Sequence, residues 1–334
     1  MNDTLPRASK SGATSASDAS AATAAIAVSI VVPVFGDGTD LQELVAGTRE
    51  VLSALGNESE FVLVNDGSAG PAWARIRELA AAFPFVKGIN LARNFGQHNA
   101  LLAGVRASKG QVIVTMDDDL QHPPDQLPLL LEALKGGADL VYGTALAQPH
   151  ERWRNVTSVL GKAILATVFG ASIARQISAF RAFRGSLRRL FQDYRCPDVS
   201  LDVLLSWGAV RVASVRVRHD ARRHGASNYT FRRLLLHWLN MVTGFSTWPL
   251  RAASLLGFAF LLFGLGVLAW VLGRYLVLGT SVPGFPFLAC IIAIFSGVQL
   301  FSLGVIGEYL ARLFVRQLDR PPYVIDSTVN LEND

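Results

Sequence analysis

Residues 111–125 read QVIVTMDDDLQHPPD, a short apolar run that leads into three adjacent aspartates, Asp117, Asp118 and Asp119. The run is rich in β-branched residues, which predicts a buried strand followed by an acidic loop. Adjacent carboxylates repel one another, and a bound cation offsets that repulsion. Mg²⁺ and Mn²⁺ prefer oxygen ligands. Because residues i and i+2 of an extended loop face the same side, we expect Asp117 and Asp119 to bind one such ion, with Gln121 on the same face.

The sequence on both sides of this stretch alternates between β-rich runs and helical patterns. Strands are predicted at residues 28–34, 60–65, 86–91, 111–116 and 139–142, and helices at 40–55, 73–82, 97–107 and 127–135. Strands separated by helices indicate βαβ units, so the predicted fold class is α/β with a parallel sheet. A buried strand before the aspartates favours a metal site over the alternative, a solvated acidic turn.

Two other predicted strands also end in carboxylates. The first leads into FGD, which contains Asp37, and the second into DGS, which contains Asp66. Ligands of parallel sheets bind beyond the carboxyl ends of the strands, so we expect both residues to lie near the three aspartates. Asp66 is a candidate hydrogen-bond acceptor for a base or ribose. Its alternative role is in a turn where Asp-Gly supplies a positive φ.

Composition and missing motifs exclude several classes of protein. Of the 334 residues, 51% are hydrophobic and 17% are charged, whereas an ordinary soluble domain has about 25% charged residues. Two cysteines, Cys196 and Cys290, cannot form a disulfide scaffold or a four-cysteine zinc site. The chain contains neither GxGxxG nor a P-loop motif, and no nucleophile elbow supports a Ser-His-Asp triad.

Two apolar segments near the C-terminus are long enough to cross a membrane. Residues 252–273 and 287–306 contain no charged side chain, and a spanning helix needs about 20 apolar residues. The alternative is a pair of buried helices in a soluble protein. Arg251 precedes the first segment and Arg312 and Arg316 follow the second, while the connector contains only Arg274. This distribution of arginines predicts that both termini face the cytosol.

The two apolar segments also provide evidence on whether the protein forms oligomers and whether it is a transporter. Glycines 257, 264 and 266 permit helix packing between protomers, so a homo-oligomer is one hypothesis. Two spans without an internal charge cannot line much of a polar path, which disfavours a transporter.

The region before the first span is strongly basic. Residues 152–233 contain 16 Arg or Lys residues and four acidic ones. Such a surface suits anionic lipid headgroups, phosphates or nucleic acid, and the adjoining spans favour the membrane over nucleic acid. Guanidinium groups bind phosphate oxygens in pairs, so Arg181 in SAFRAFR and Arg222 in ARRHGASNY are candidates for an anionic acceptor. The alternative is a solvated basic face.

Together these motifs resemble the polyisoprenyl-phosphate glycosyltransferases of the GT-A, family 2 type. That group includes dolichol-phosphate mannose synthase and bacterial undecaprenyl-phosphate glucosyl- and aminoarabinosyl-transferases. The resemblance covers residues 29–322 through VVPVF, VNDGS, LARNFGQHNAL, MDDDLQHPPD, SAFRAFR, ARRHGASNY and FSTWPLR. It implies a GT-A catalytic domain with a Rossmann-like, mostly parallel sheet, followed by a two-helix transmembrane hairpin. We therefore expect a disordered tail (1–25), a cytosolic GT-A domain (26–230), an interfacial amphipathic helix (231–250), two transmembrane helices (251–307) and a cytosolic C-terminal tail (308–334).

The resemblance also implies roles for individual residues. Positions that hold the nucleotide base and ribose correspond to Pro33, Phe35, Asp37 and Asp66. The metal and diphosphate site corresponds to Asp117, Asp119 and Gln121, and the middle position that contacts the donor corresponds to Asp118. Residues that bind the acceptor phosphate correspond to Arg181 and Arg222, with Ser227 and Tyr229 in the turn beside them. The implied catalytic set is Asp117, Asp118, Asp119, Arg181 and Arg222.

The chain departs from the family pattern at several positions. Gly36-Asp37 stands where Asn-Glu is usual, Gly70 where a further aspartate is usual, and Ala145 where many relatives have arginine. Arg152 or Arg154 is a candidate substitute for that arginine. None of these differences removes a metal ligand, so we expect an active enzyme.

The implied reaction is transfer of a hexose from a nucleotide sugar to undecaprenyl phosphate at the inner membrane, for modification of a cell-envelope glycan. UDP-glucose is the expected donor, Mg²⁺ or Mn²⁺ the expected cofactor, and inversion the expected outcome. A phosphate monoester is largely ionised at pH 7 and needs no general base. UDP-formamido-arabinose and GDP-mannose are alternative donors. A processive polysaccharide synthase usually has more spans and a QxxRW motif, which this chain lacks. From another class, a catalytically silent nucleotide-sugar-binding scaffold is disfavoured by the intact metal ligands.

Overall fold

The computed structural model describes residues 27–56, 58–145, 176–196, 199–220, 248–279 and 284–331. The strands are β1 (Val28–Val34), β2 (Ser59–Asn65), β3 (Val86–Leu91), β4 (Val112–Thr115), β5 (Leu140–Ala145), β6 (Arg181–Arg184), β7 (Val212–Val217) and β8 (Ile325–Val329). The helices are α1 (Leu41–Ala54), α2 (Ala72–Ala82), α3 (Gln97–Ala107), α4 (Leu127–Lys135), α5 (Arg189–Gln192), α6 (Leu201–Gly208), α7 (Trp248–Leu278) and α8 (Phe285–Gln317).

All eight strands form one sheet with the order β7-β5-β6-β4-β1-β2-β3-β8. Strands β1 to β5 and β7 run in one direction, and β6 and β8 run against them. The predicted α/β class and mostly parallel sheet are therefore confirmed. Every residue of β1 is buried because helices cover both faces of the sheet, which explains why this strand reads as a continuous apolar run.

The core is divided between the two faces of the sheet. On one face, α1, α2 and α4 supply apolar side chains such as Leu44, Ile76 and Leu130. On the other face, α3 and α6 supply side chains such as Leu102 and Leu204. This packing fixes the strands in register, so that Val34 of β1 pairs with Asn65 of β2 and Val31 pairs with Thr115 of β4. The loops that follow β1, β2 and β4 consequently leave the sheet at the same edge.

The C-terminal region differs from the predicted tail at 308–334. Helix α8 continues to Gln317, and β8 then pairs antiparallel with β3, the edge strand of the parallel part of the sheet. Asn330 follows β8 and donates from Nδ2 to the carbonyl oxygens of Ala80 and Val86, at 2.7 and 2.9 Å. The end of the chain is thus part of the sheet domain, because β3 otherwise has an unpaired edge.

Two helices, α7 and α8, are long and apolar enough to cross a membrane, over Pro249–Val277 and Ile294–Gln317. They pack against each other through an edge-to-face contact between Phe260 and Phe295, with ring centroids 6.0 Å apart. Phe295 also lies against Gly264, which we expected to be available to a second protomer. The tail at 1–25 and the interfacial helix at 231–250, except for the first turn of α7, lie outside the described residues.

Candidate functional site

A cleft of about 400 Å³ opens at the edge where the parallel strands end. It is lined by Pro33, Val34, Phe35, Asp66, Asn94, Gly96, Gln97, Asp117, Asp118, Asp119 and Gln121. Seven residues that the sequence singled out, from three segments of the chain, therefore share one cavity. The parallel register brings them together, because each follows or ends a strand of the same direction.

Hydrogen bonds to its three carboxylates help to hold the acidic loop after β4 in place. Gln97 donates from Nε2 to Oδ1 of Asp117 at 2.7 Å, and the backbone N–H of Phe35 donates to Oδ2 of Asp118 at 3.4 Å. Within the loop, the N–H of Gln121 donates to Oδ1 of Asp119 at 3.2 Å. Leu120 between them has a φ of 56°, in the left-handed region. Such a conformation is costly for leucine and is typical of functional loops.

The electrostatics of this loop fit a divalent cation. Burial, together with the neighbouring charge of Asp117, raises the pKa of Asp118 to about 7. A nearby cation would reverse this effect by favouring ionised carboxylates. Within the described residues, no three His, Cys, Asp or Glu side chains form a ready-made metal site. The oxygen donors of Asp117, Asp119 and Gln121 fit an ion that prefers oxygen ligands and accepts water or phosphate oxygens in its remaining positions, as Mg²⁺ and Mn²⁺ do.

Asp66 lies at the base of the cleft and is 3% exposed. Its carboxylate accepts from the backbone N–H groups of Phe95 and Gly96, at 2.7 and 2.9 Å. Burial nevertheless raises the pKa of Asp66 above its usual value. Gly67, the next residue, has a φ of 63°, and a Cβ there would lie 2.1 Å from the backbone of Arg93. The hydrogen bonds of Asp66 and the close approach at Gly67 therefore join the loop after β2 to the loop after β3. The positive φ of Gly67 is the one expected for an Asp-Gly turn.

Asp37 is exposed and does not line the cleft. Its carboxylate lies beside Gly70, where an added Cβ would be 2.6 Å from Oδ1. Its backbone carbonyl accepts from Arg75 at 2.8 Å. The departures from the family pattern at positions 37 and 70 are thus linked, because the side chain of Asp37 occupies the space that a side chain at position 70 would need.

Arg181 does not have the expected position of a phosphate-binding residue. It is 2% exposed and forms a buried ion pair with Asp202, and it also donates to the hydroxyl of Thr115 at 3.0 Å. Asp202 additionally accepts from the hydroxyl of Tyr142 at 2.9 Å. The sequence pattern of arginine among aromatic residues gave no sign of this ion pair, because the partner Asp202 lies 21 residues away on α6. Arg181 supports the strand beneath Asp117 and does not line the cleft.

The other predicted acceptor residues, Arg222, Ser227 and Tyr229, lie outside the described residues, as do Arg152 and Arg154. The described range before these residues ends at Asp220. The N–H of Asp220 donates to the carbonyl of Gln121 at 2.9 Å. The residue that directly precedes the predicted acceptor segment is therefore hydrogen-bonded to the end of the acidic loop.

Sequence reasoning gave no role to several residues near this edge, among them Gln97, which donates to Asp117. Asn94 and Gly96 line the cleft through the loop after β3, which lacks a carboxylate signal. His122 follows the acidic loop and stacks on the ring of Phe180, with centroids 5.1 Å apart. Burial, with a smaller contribution from the nearby His219, lowers the pKa of His122 to about 4. The HPP sequence around it gave no sign of a buried ring.

Comparison with known proteins agrees with this architecture. Residues 29–191 match glycosyl transferase family 2. The undecaprenyl-phosphate 4-deoxy-4-formamido-L-arabinose transferase of Edwardsiella ictaluri is 33% identical over 307 residues, which cover 90% of this chain and 94% of that protein. The protein of the same name from Pseudomonas aeruginosa is 33% identical over 306 residues, with 90% of each chain covered.

Among solved structures, glucosyl-3-phosphoglycerate synthase from Mycobacterium tuberculosis, in complex with Mn²⁺, UDP and phosphoglyceric acid, aligns with a TM-score of 0.48 and 18% identity. The alignment covers 67% of this chain and 78% of that one. With the sheet, the cleft and the full-length relatives taken together, the chain is a glycosyltransferase and belongs to family 2.

Proposed function

We propose that this protein transfers a sugar from a nucleotide diphosphate sugar to undecaprenyl phosphate. The observation that carries the proposal is the single cleft in which Pro33, Phe35 and Asp66 lie beside the acidic loop. Apolar and aromatic surface at one end and carboxylates at the other suit a ligand with a base at one end and a metal-bound diphosphate at the other. Phe35 is 64% exposed, which leaves its ring available to a base.

We propose 4-deoxy-4-formamido-L-arabinose as the transferred sugar, carried by UDP. Support comes from relatives of that name that match the chain over nearly its whole length at 33% identity. The expected donor UDP-glucose has no such support among these relatives. Asp37 and Gly70, which depart from the family pattern, lie in the loops after β1 and β2, and the same loops supply Phe35 and Asp66 to the cleft.

A divalent cation is assigned to the acidic loop. Asp117 and Asp119 supply carboxylate oxygens, and Gln121 supplies an amide oxygen. When bound, such an ion stabilises negative charge on the departing diphosphate. The hydrogen bond from Gln97 keeps Asp117 oriented toward the cleft, and the turn at Leu120 keeps Asp119 and Gln121 together. Mg²⁺ and Mn²⁺ both suit this donor set.

The chemistry requires no general base from the protein. A phosphate monoester is largely ionised at pH 7, so one of its oxygens can attack the anomeric carbon directly. The bond from that carbon to the acceptor phosphate forms while the bond to the diphosphate oxygen breaks, which inverts the anomeric centre. The protein's main task is to align the two ligands in a shared site.

The apolar helices α7 and α8 support a location at the membrane. They bring the sheet domain to a surface where the prenyl chain of the acceptor is buried in lipid. The basic region before α7 suits the anionic headgroup, and we assign Arg222, Ser227 and Tyr229 to its phosphate. The arginines that flank the hairpin support a cytosolic position for the sheet domain and both termini.

A donor panel tests this assignment. Full-length protein in lipid nanodiscs is given undecaprenyl phosphate, Mn²⁺ and radiolabelled UDP-formamido-arabinose, UDP-glucose or GDP-mannose, and label extracted into organic solvent is counted. We expect label from UDP-formamido-arabinose. Label only from UDP-glucose or GDP-mannose would refute the proposed sugar and keep the reaction. Nucleotide-sugar binding without any transfer would identify a silent scaffold instead.

A further inference from the structure

The segment that follows β7 is attached to the acidic loop and the turn after it. Besides the hydrogen bond from Asp220 to the carbonyl of Gln121, the N–H of Arg218 donates to Oε1 of Gln126 at 3.0 Å. The guanidinium of Arg218 lies 3.3 Å from Oδ2 of Asp125. These contacts join two parts of the chain that lie about one hundred residues apart in sequence.

Two histidine rings form the centre of this junction. His122 and His219 are stacked at a tilt of 39°, with centroids 4.8 Å apart. The ring of His122 also stacks on Phe180 and is 8% exposed. Nδ1 of His122 is buried and has no hydrogen-bond partner among the described residues. The contacts that hold this ring in place are therefore the stacking contacts with Phe180 and His219.

The two histidines lie close in sequence to both segments to which the proposed function assigns ligands. His122 directly follows Gln121, the last residue of the metal-binding set. His219 directly precedes the segment that contains Arg222, Ser227 and Tyr229, which the proposed function assigns to the acceptor phosphate. A movement of either segment therefore changes the ring contact and the Gln121–Asp220 hydrogen bond together.

We propose that His122 is a positioning residue, and that its contact with His219 couples the geometry of the metal-binding loop to the acceptor segment. The inference rests on the proposed function for the identity of the two ligands. The coupling itself rests on the contacts among Gln121, His122, His219 and Asp220.

A double-mutant cycle tests the coupling in the full-length protein. The variants are His122→Ala, His219→Ala and the double variant, and the affinity for Mn²⁺ is measured by electron paramagnetic resonance without any substrate. We expect each single variant to weaken Mn²⁺ binding by about tenfold and the double variant to be no weaker than either single one, since residues in contact are not additive. Additive losses, or unchanged Mn²⁺ affinity in His219→Ala, would overturn the proposal.

Two further variants separate positioning from general stability. His122→Phe keeps an aromatic ring at this position. Because the stacking contact with His219 is then retained, we expect Mn²⁺ binding within about twofold of the wild type. Phe85→Ala removes a ring contact with Phe61, in which the ring centroids are 5.7 Å apart. This variant is expected to lower thermal stability while leaving Mn²⁺ affinity unchanged. Equal loss in His122→Phe and His122→Ala would show that ring stacking does not carry the coupling.

Hydrogen exchange and transfer kinetics separate the test of the proposed coupling from the test of the proposed function. In metal-free protein, His219→Ala is expected to speed amide exchange in peptides covering residues 117–122, and unchanged exchange there would refute the coupling whatever the protein's activity. In transfer assays at saturating Mn²⁺, His122→Ala is expected to raise the KM for undecaprenyl phosphate and to lower kcat. Wild-type protein that neither binds Mn²⁺ nor transfers sugar would refute the proposed function, while the exchange measurement would still decide the coupling.

Discussion

Nε2 of Gln97 donates a 2.7 Å hydrogen bond to Oδ1 of Asp117, and this bond joins the first residue of α3 to the first residue of the acidic loop. The loop that precedes Gln97 is in turn held by Asp66 through the N–H groups of Phe95 and Gly96. A chain of hydrogen bonds therefore runs from the end of β2 through the start of α3 to the proposed metal ligand. The orientation of Asp117 depends on residues from three segments.

Replacing Gln97 by alanine removes this orienting bond without removing a ligand. Partners of metal ligands typically contribute a factor of about 10 or more to metal affinity or activity, so we expect Gln97→Ala to weaken Mn²⁺ binding by about tenfold. Titration of Mn²⁺ by electron paramagnetic resonance provides the measurement. Gln111→Ala, an exposed glutamine at the opposite end of β4, is the matched control and should bind normally. Equal affinities in both variants would mean that Asp117 needs no orienting partner.

The raised pKa of Asp118 predicts how the metal-free protein responds to pH. Its pKa of about 7 in the folded state lies above the usual value of 3.8. At low pH the carboxyl is protonated in both the folded and the unfolded state. As the pH rises the unfolded state releases its proton first, so this group makes the free energy of unfolding fall from about pH 4 to about pH 7 and leaves it lowered above that range. We expect Asp118→Asn to remove that contribution. The difference in unfolding midpoint between variant and wild type should therefore grow from pH 5 to pH 8, with exposed Glu132→Gln as a flat control.

The buried ion pair between Arg181 and Asp202 is predicted to be structural. Replacing one partner leaves an uncompensated buried charge, so Arg181→Met should cost about 3–5 kcal/mol of unfolding free energy. The double variant Arg181→Met, Asp202→Leu should recover part of that loss, as measured by denaturant unfolding. If Arg181→Met instead unfolds like the wild type and only raises the KM for undecaprenyl phosphate, the phosphate-binding role implied by the family resemblance would be correct.

The last strand is predicted to stabilise the sheet domain. Asn330→Gly keeps a residue that tolerates the φ of 56° but loses both hydrogen bonds to the carbonyls of Ala80 and Val86. At about 1 kcal/mol for each bond, the expected loss is about 2 kcal/mol. Asn330→Ala should lose slightly more because alanine disfavours that φ. An unfolding curve unchanged by either variant would show that β8 is not needed for the stability of β3.

Much of the sheet was predictable because local patterns coincide with the tertiary structure. The predicted strands at 28–34 and 86–91 and the predicted helices at 97–107 and 127–135 match β1, β3, α3 and α4 residue for residue. Their residues are apolar with the correct period and are bounded by clear turn signals. The convergence of the loops after β1, β2 and β4 was predictable because the carboxyl ends of parallel strands meet at the same edge of a sheet.

Two of the strands that sequence analysis missed, β6 and β8, depend on partners far along the chain. Strand β6 has four residues and begins and ends with arginine, so it has no apolar alternation. Strand β8 contains Asp326, Ser327 and Thr328 and is identifiable only from the free edge of β3. The environment of Arg181 depends on Asp202, and the contact of His122 depends on His219. A pattern in one stretch of sequence carries no information about such distant partners.

The central claim is metal-dependent transfer of sugar to a lipid phosphate by the residues of the acidic loop. Its most direct test compares wild-type protein with Asp119→Ala, using undecaprenyl phosphate, Mn²⁺ and labelled UDP-formamido-arabinose, and counts label extracted into organic solvent. We predict lipid-linked label from the wild type that disappears on chelation of Mn²⁺, and a loss of about 100-fold or more in the variant, as for removal of a group that acts at the transition state. Equal lipid-linked label from wild type and Asp119→Ala, or label that persists after chelation, would contradict the account.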